Sequence, residues 1–135
     1  MDMQTLYQRG LKLRQELAGE QTVAARMAAA GEFGEPLQNI VNSYCYGDVW
    51  SRPGLPMQTK SLAVVAMTAA IDRPKEFCVH VKGALNNGCT PEEIREVLLL
   101  VTMYCGIPAG NEAHRMAWEV INQHKAEQAR KPSTI

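Results

Sequence analysis

After Ser61 the chain runs Leu62, Ala63, Val64, Val65, Ala66, Met67, Thr68, Ala69, Ala70, Ile71 without a charged side chain. The run is far shorter than the roughly 20 apolar residues a membrane span takes. It has no apolar–polar alternation, so it does not read as a half-buried strand. It reads as part of a helix over 57–71 that is apolar on almost every face. Such a helix belongs at the centre of a core or in an interface between subunits.

The rest of the chain carries the same helical period. Leu6, Leu13 and Leu17 mark a helix over 3–18 that Gly19 can end. Residues 20–30 form a short Ala-rich helix, broken by Gly31 and Gly34. Leu37, Ile40, Val41 and Tyr44 form one stripe of a helix over 35–47. Asp72 is expected to cap the next helix, with Pro74 in its first turn, and Asn86, Asn87 and Gly88 are expected to end it. Thr90-Pro91-Glu92-Glu93 is a start signal with a capping box between Thr90 and Glu93. Its helix presents Ile94, Val97, Leu98 and Val101 and runs to about Tyr104. A last helix spans about 109–126, with Ala113, Met116, Ala117, Val120 and Ile121 inward. No alternating run of strand length exists, so the expected fold is all-α with about six to seven helices. At 135 residues the chain is expected to form one domain, with N-terminal helices in 1–34, a core in 35–126 and a flexible tail in 127–135.

Charge and cysteine usage narrow the function. Fourteen Lys and Arg balance fourteen Asp and Glu. That excludes a nucleic-acid binder driven by a basic surface and leaves little repulsion against self-association. The start, Met-Asp-Met-Gln-Thr-Leu, lacks the basic and apolar regions of a signal peptide, so the cytoplasm is expected. Cys45, Cys78, Cys89 and Cys105 contain no C-x-x-C pair and are expected to be reduced thiols. His80, His114 and His124 form no H-x-H or H-E-x-x-H pattern, so no metal site is expected. The glycines match no phosphate-binding pattern.

Two stretches carry candidate chemistry. Gly47-Asp48-Val49-Trp50-Ser51-Arg52-Pro53-Gly54-Leu55-Pro56 is too rich in Gly and Pro for a regular helix, yet holds a Trp, an Arg and an Asp. Glu76 and His80, four apart, share a helix face, and Arg73 lies one turn earlier. A carboxylate beside an imidazole suits proton transfer; a solvated surface pair has the same spacing. Cys78 falls about 200° around the helix from Glu76, away from that face. His114, just after Asn111 and Glu112, is either a pocket residue or a surface one. Asp48 has an alternative role as a loop brace, and Asn86 and Asn87 as a helix stop.

The run from Tyr46 to Val120 resembles the carboxymuconolactone decarboxylase family, in particular its branch in protocatechuate catabolism through β-ketoadipate. The matching stretches are Gly47 to Leu55, Thr59-Lys60-Ser61-Leu62, His80 to Gly88, Glu92 to Leu98 and Tyr104 to Ala109. Tyr7-x-x-Gly10-x-x-x-Arg14 also fits, so the resemblance covers about nine-tenths of the chain. It implies an alkylhydroperoxidase D-like helical subunit that assembles as a trimer or hexamer. The implied reaction is cofactor-independent decarboxylation of a carboxylated muconolactone to β-ketoadipate enol-lactone and CO2. In the peroxidase branch of this superfamily a C-x-x-C precedes the family histidine. Here Arg73 and Glu76 take the two cysteine places, His80 takes the histidine and Ser61 an upstream Glu, so the dithiol is absent.

The resemblance further implies roles. His80 gives a proton or meets the oxyanion, and Glu76 orients it. Arg52 and Arg73 hold substrate carboxylates. Trp50 and Tyr46 wall the pocket, and Arg52 and His80 can come from different chains. Tyr104, Glu112 and His114 are further pocket candidates. Glu112 or His114 in the pocket would open a related lactone, or another β-keto or vinylogous acid, as an alternative substrate. The remaining alternatives are a thiol-dependent redox enzyme and a binding protein without turnover.

Overall fold

A computed structural model describes residues 1–131. Those residues form six α-helices and one π-helix, with no strand among them. The helices are α1 (Met3–Ala18), α2 (Glu20–Ile40), the π-helix (Val41–Val49), α3 (Met57–Ala70), α4 (Pro74–Asn86), α5 (Pro91–Cys105) and α6 (Ile107–Arg130). The chain divides into two compact units at Met57/Gln58.

In the first unit, α1 packs on the π-helix at backbone distance. A Cβ on Gly10 would stand 1.6 Å from the Asn42 carbonyl oxygen, and one on Gly47 would stand 2.3 Å from that of Leu6. Only glycine permits such an approach. Arg9 then reaches across, its Nε donating to the Gly47 carbonyl at 2.8 Å. Arg14 is buried, and its Nη1 donates to Oδ1 of the fully buried Asn42 at 3.0 Å. The break expected at Gly31 and Gly34 occurs at Gly31 alone, where φ 58° and ψ −159° kink α2. Residues 35–47 do not form a separate α-helix. They finish α2 and continue into the π-helix, whose wide turns carry Gly47 to Val49 as well, so the irregular segment is only 50–56.

In the second unit the core is built from Val65 of α3, Phe77, Val81 and Ala84 of α4, Ile94 and Leu98 of α5, and Ala113, Ala117 and Ile121 of α6. The expected inward stripes of α5 and α6 are therefore those that pack. By contrast, α3 buries only Ser61, Val65 and Thr68; its Met67, and Ile71 just past its end, are exposed.

The helix ends show one correction. Asp72 does not cap α4; Arg73 stands at that position, with no side-chain cap. Asp72 sits at φ 58° and ends α3 instead. The Arg73 N–H donates to the Thr68 carbonyl at 3.0 Å and the Asp72 N–H to that of Ala69 at 3.3 Å. This is a Schellman closure with Asp in the place glycine usually takes. Gly88, at φ 90°, closes α4 the same way through bonds from Cys89 to Ala84 and from Gly88 to Leu85. The capping box at Thr90 forms as expected: Glu93 N–H donates to Thr90 Oγ1 at 3.1 Å, and Thr90 N–H to Glu93 Oε1 at 2.9 Å. The final helix extends past 126 to Arg130, so 127–130 are helical; the rest of the expected tail, 132–135, lies outside the described residues.

Gly10→Ala should destabilise the first unit by at least the upper end of the roughly 1–3 kcal/mol that overpacking costs. Gly54→Ala, where a Cβ meets nothing within 4 Å, should be close to neutral. Urea midpoints followed by circular dichroism check the contrast.

Candidate functional site

The π-helix sets the geometry of the first unit's candidates. The Trp50 N–H donates to the Cys45 carbonyl at 2.8 Å, an i→i+5 bond. With more than four residues per turn, positions four apart stand above one another. Tyr46 and Trp50 accordingly stack, with ring centroids 5.7 Å apart and planes 14° from parallel. Both rings are buried, and the Arg14 guanidinium lies 6.0 Å from the Tyr46 centroid. The Ser51 hydroxyl donates to the Tyr46 carbonyl at 2.7 Å and fixes the exit of the chain. Arg52 is exposed and held by Asp48, with Nε to Oδ1 at 3.1 Å. That bond holds the Asp48 carboxyl below its ordinary value and raises Arg52. Asp48 is thus the brace of Arg52. A guanidinium so held keeps its remaining N–H groups in a fixed direction.

In the second unit, α4 divides by face. Phe77, Val81 and Ala84 enter the core, while Glu76 and His80 are half-buried one turn apart. Asn87 falls seven residues beyond His80, on the same side of the helix. Its Nδ2 donates to the hydroxyl of Ser61 at 2.8 Å, and Ser61 is 2% exposed. Gly83, buried, leaves that side without a side chain between His80 and Asn87. A polar line of Glu76, His80 and Asn87 therefore runs along α4, and its end meets Ser61 of α3. The sequence pointed to Asn87 only as a helix stop and to Ser61 only as a replaced glutamate. Their spacing from His80 was the available signal, but their pairing depends on tertiary contact.

Arg73 is exposed, and its Nη1 donates to the carbonyls of Ile71 and Asp72 at 2.9 and 3.2 Å. It lines a cavity of about 450 Å3 together with Thr68, Asp72, Cys105 and Glu112. The structure thus brings Arg73 and Glu112 to one cavity. His114 lines a different one, with Trp118. Glu112 is also ion-paired with Arg115. Tyr104 is 88% exposed at the end of α5, beside the Cys105 that lines the Arg73 cavity.

Burial disfavours the thiolate at Cys45, Cys78 and Cys89. All four cysteines are free. Burial pushes the Cys78 and Cys89 thiols up, and the nearby Glu119 and Glu93 carboxylates add to it, so both stay protonated. Among the described residues no three His, Cys, Asp or Glu side chains converge as metal ligands, and no helix is long and apolar enough to cross a membrane.

Comparison with known proteins agrees with the resemblance. The model of the family described as "Carboxymuconolactone decarboxylase family" matches residues 35–119. The chain is 38% identical over 120 residues to a protein named 4-carboxymuconolactone decarboxylase from Acinetobacter baylyi, covering 89% of this chain and 90% of that one. It is 34% identical over 117 residues to one named nitrosuccinic acid decarboxylase npaB from Metarhizium robertsii, covering 87% and 82%.

Ser61→Ala should cost about 1–3 kcal/mol, because it strands a part-buried Asn87 amide. Adding Asn87→Ala to it should cost clearly less than Asn87→Ala alone. A double-mutant cycle by urea denaturation reads the coupling, which should be about 1 kcal/mol.

Proposed function

The chain belongs to the carboxymuconolactone decarboxylase family, and we propose that it is a carboxy-lyase converting 4-carboxymuconolactone to β-ketoadipate enol-lactone and CO2. The observation that carries this reading is the 38% identity to the Acinetobacter protein of that name across nine-tenths of both chains. The second named relative acts, by its name, on nitrosuccinic acid. Both named substrates are diacids, and in both a carboxylate leaves next to an electron-withdrawing group. That shared chemistry asks a site for two cationic anchors and a proton donor.

Arg52 and Arg73 are the anchors in this reading. One holds the carboxylate that stays, the other the carboxylate that leaves. The C–C bond to the leaving carboxylate breaks and CO2 departs. The electron pair spreads through the ring double bond into the lactone carbonyl as a dienolate. His80, oriented by Glu76, donates a proton to carbon and is reprotonated from water. The substrate carries its own electron sink, so the chemistry calls for no metal or organic cofactor. Tyr46 and Trp50 supply an apolar wall, which favours losing a localised carboxylate charge. Arg73 and Glu112 share a cavity, which supports Glu112 as a neighbour of the bound diacid.

An alkylhydroperoxidase D-like subunit, assembled as a trimer or hexamer in the cytoplasm, fits this function. Two exposed apolar stripes support assembly: Phe33, Leu37, Ile40 and Tyr44 in the first unit, and Leu100, Met103, Tyr104 and Ile107 in the second. In that assembly Arg52 and His80 of one site come from different subunits.

Purified protein given enzymatically generated 4-carboxymuconolactone should release CO2. His80→Ala should lower kcat by about 10²–10⁴-fold, and Arg52→Ala or Arg73→Ala should mainly raise KM. No release by a folded, assembled protein would overturn the reading. The Asp48–Arg52 pair adds a pH signature. Because the Asp48 carboxyl is held below its ordinary value, the pair persists as pH falls through the usual carboxylate range. It dissolves only as pH falls through the lowered value. Asp48→Asn should raise KM at neutral pH and leave thermal stability unchanged.

A further inference from the structure

α5 and α6 enclose a second cavity of about 620 Å3, which shares no lining residue with the one that holds Arg73. Its floor is Ile94, Leu98, Ala117 and Ile121, all of them core side chains. One wall is Trp118, a large aromatic left 57% exposed. The rim is cationic. Arg95, Arg115 and Lys125 line it against a single acid, Glu92. Arg115 is occupied by Glu112 and by Glu119, the latter at 3.1 Å. Among the described residues Arg95 has only a loose exposed contact to Glu96 at 3.9 Å, and the Lys125 ammonium stands 5.4 Å from the Trp118 ring centroid. Lys125 and Arg95 are therefore the cations with donors to give. His114 has Nδ1 committed to the Gly110 carbonyl at 2.7 Å. A carbonyl only accepts, so Nδ1 is the donor in this bond and is not offered to a ligand.

We propose that this cavity is a second ligand site, separate from the decarboxylation chemistry, for a small amphipathic carboxylate. Its flat apolar body lies on the Ile94–Leu98–Ile121 floor against Trp118, and its carboxylate meets Lys125 and Arg95. The volume suits a small organic ligand, and an apolar cavity with a few placed cations is how such sites select an anion over a neutral molecule. A lone apolar groove would not discriminate charge; the cations on the rim do.

The probe is 2-naphthoate, with uncharged 2-naphthylmethanol as its isostere, titrated into the full-length protein by calorimetry and tryptophan fluorescence. The expected result is one saturable site per chain, with quenching lost in Trp118→Phe relative to Trp50. The isostere should bind at least tenfold more weakly. Lys125→Ala and Trp118→Ala should each weaken naphthoate at least tenfold, and Arg73→Ala should leave it unchanged. Both altered side chains are at the surface, and circular dichroism checks that the variants fold. Three results would overturn the proposal. One is no saturable binding at millimolar probe. Another is binding that Arg73→Ala abolishes and Trp118→Ala spares, which puts the probe in the other cavity. The third is Trp118→Ala converting the protein to a smaller species on size-exclusion chromatography, which makes the groove a subunit interface.

Discussion

Two backbones touch where Gly10 faces the Asn42 carbonyl and Gly47 faces that of Leu6, and the first unit is organised around that contact. With a side chain at either position, α1 could not lie against the π-helix. Once it does, Arg9 reaches the Gly47 carbonyl and Arg14 is carried into the interior, where Asn42 accepts from it. A buried guanidinium is costly unless its donors are met. The close approach supplies one such acceptor, the Asn42 side chain, from the facing helix. The same contact fixes the π-helix, and the wide turns of the π-helix put Trp50 over Tyr46 and Asp48 in reach of Arg52. The position of the exposed Arg52 thus traces back to two hydrogen atoms where Cβ atoms would be.

The second unit solves a different problem, which is keeping polar side chains on a helix that also builds a core. On α4 the two sets follow the helical period. Phe77, Val81 and Ala84 bury one side, and Glu76, His80 and Asn87 line another. Ser61 meets Asn87 from α3, so the buried hydroxyl and the part-buried amide satisfy each other where the helix ends. The helix ends are rigid for separate reasons. Asp72 and Gly88 close α3 and α4 through left-handed residues, and Thr90 and Glu93 start α5. His80 is therefore carried on a helix that starts directly after the α3 closure and is itself closed at Gly88.

The helices were legible wherever a local rule decides. Apolar spacing gave the inward residues of α5 and α6, and the Thr90-Pro91-Glu92-Glu93 signal needed no partner to be read. Glu76 beside His80 was legible because helix geometry alone makes them neighbours. Three features were not. Asp72 looks like a cap in sequence because Asp favours that place, but it also tolerates φ above zero, and the closure of α3 claimed it first. The π-helix has no local signature, since its i→i+5 bonds follow from packing on α1. Glu112 and His114, two apart in sequence, looked like one pocket, yet two residues on a helix point about 200° apart, and they line different cavities.

That separation bears on how such a scaffold tunes its substrate. Glu112 shares a cavity of about 450 Å3 with Arg73, so an acid and a guanidinium line the same space. Left free, that acid would compete with a bound diacid for the guanidinium. It is instead ion-paired with Arg115, which lines the neighbouring cavity. Arg73, for its part, is steadied by two backbone carbonyls and by no carboxylate bond of its own among those described. A carbonyl orients a guanidinium without neutralising it. Under the proposed reading Arg73 is thereby oriented toward an incoming anion, while Arg115 draws the nearby carboxylate the other way. If Arg73 is one of the two carboxylate anchors proposed above, being oriented without being neutralised is what lets it hold a carboxylate that must later leave as neutral CO2.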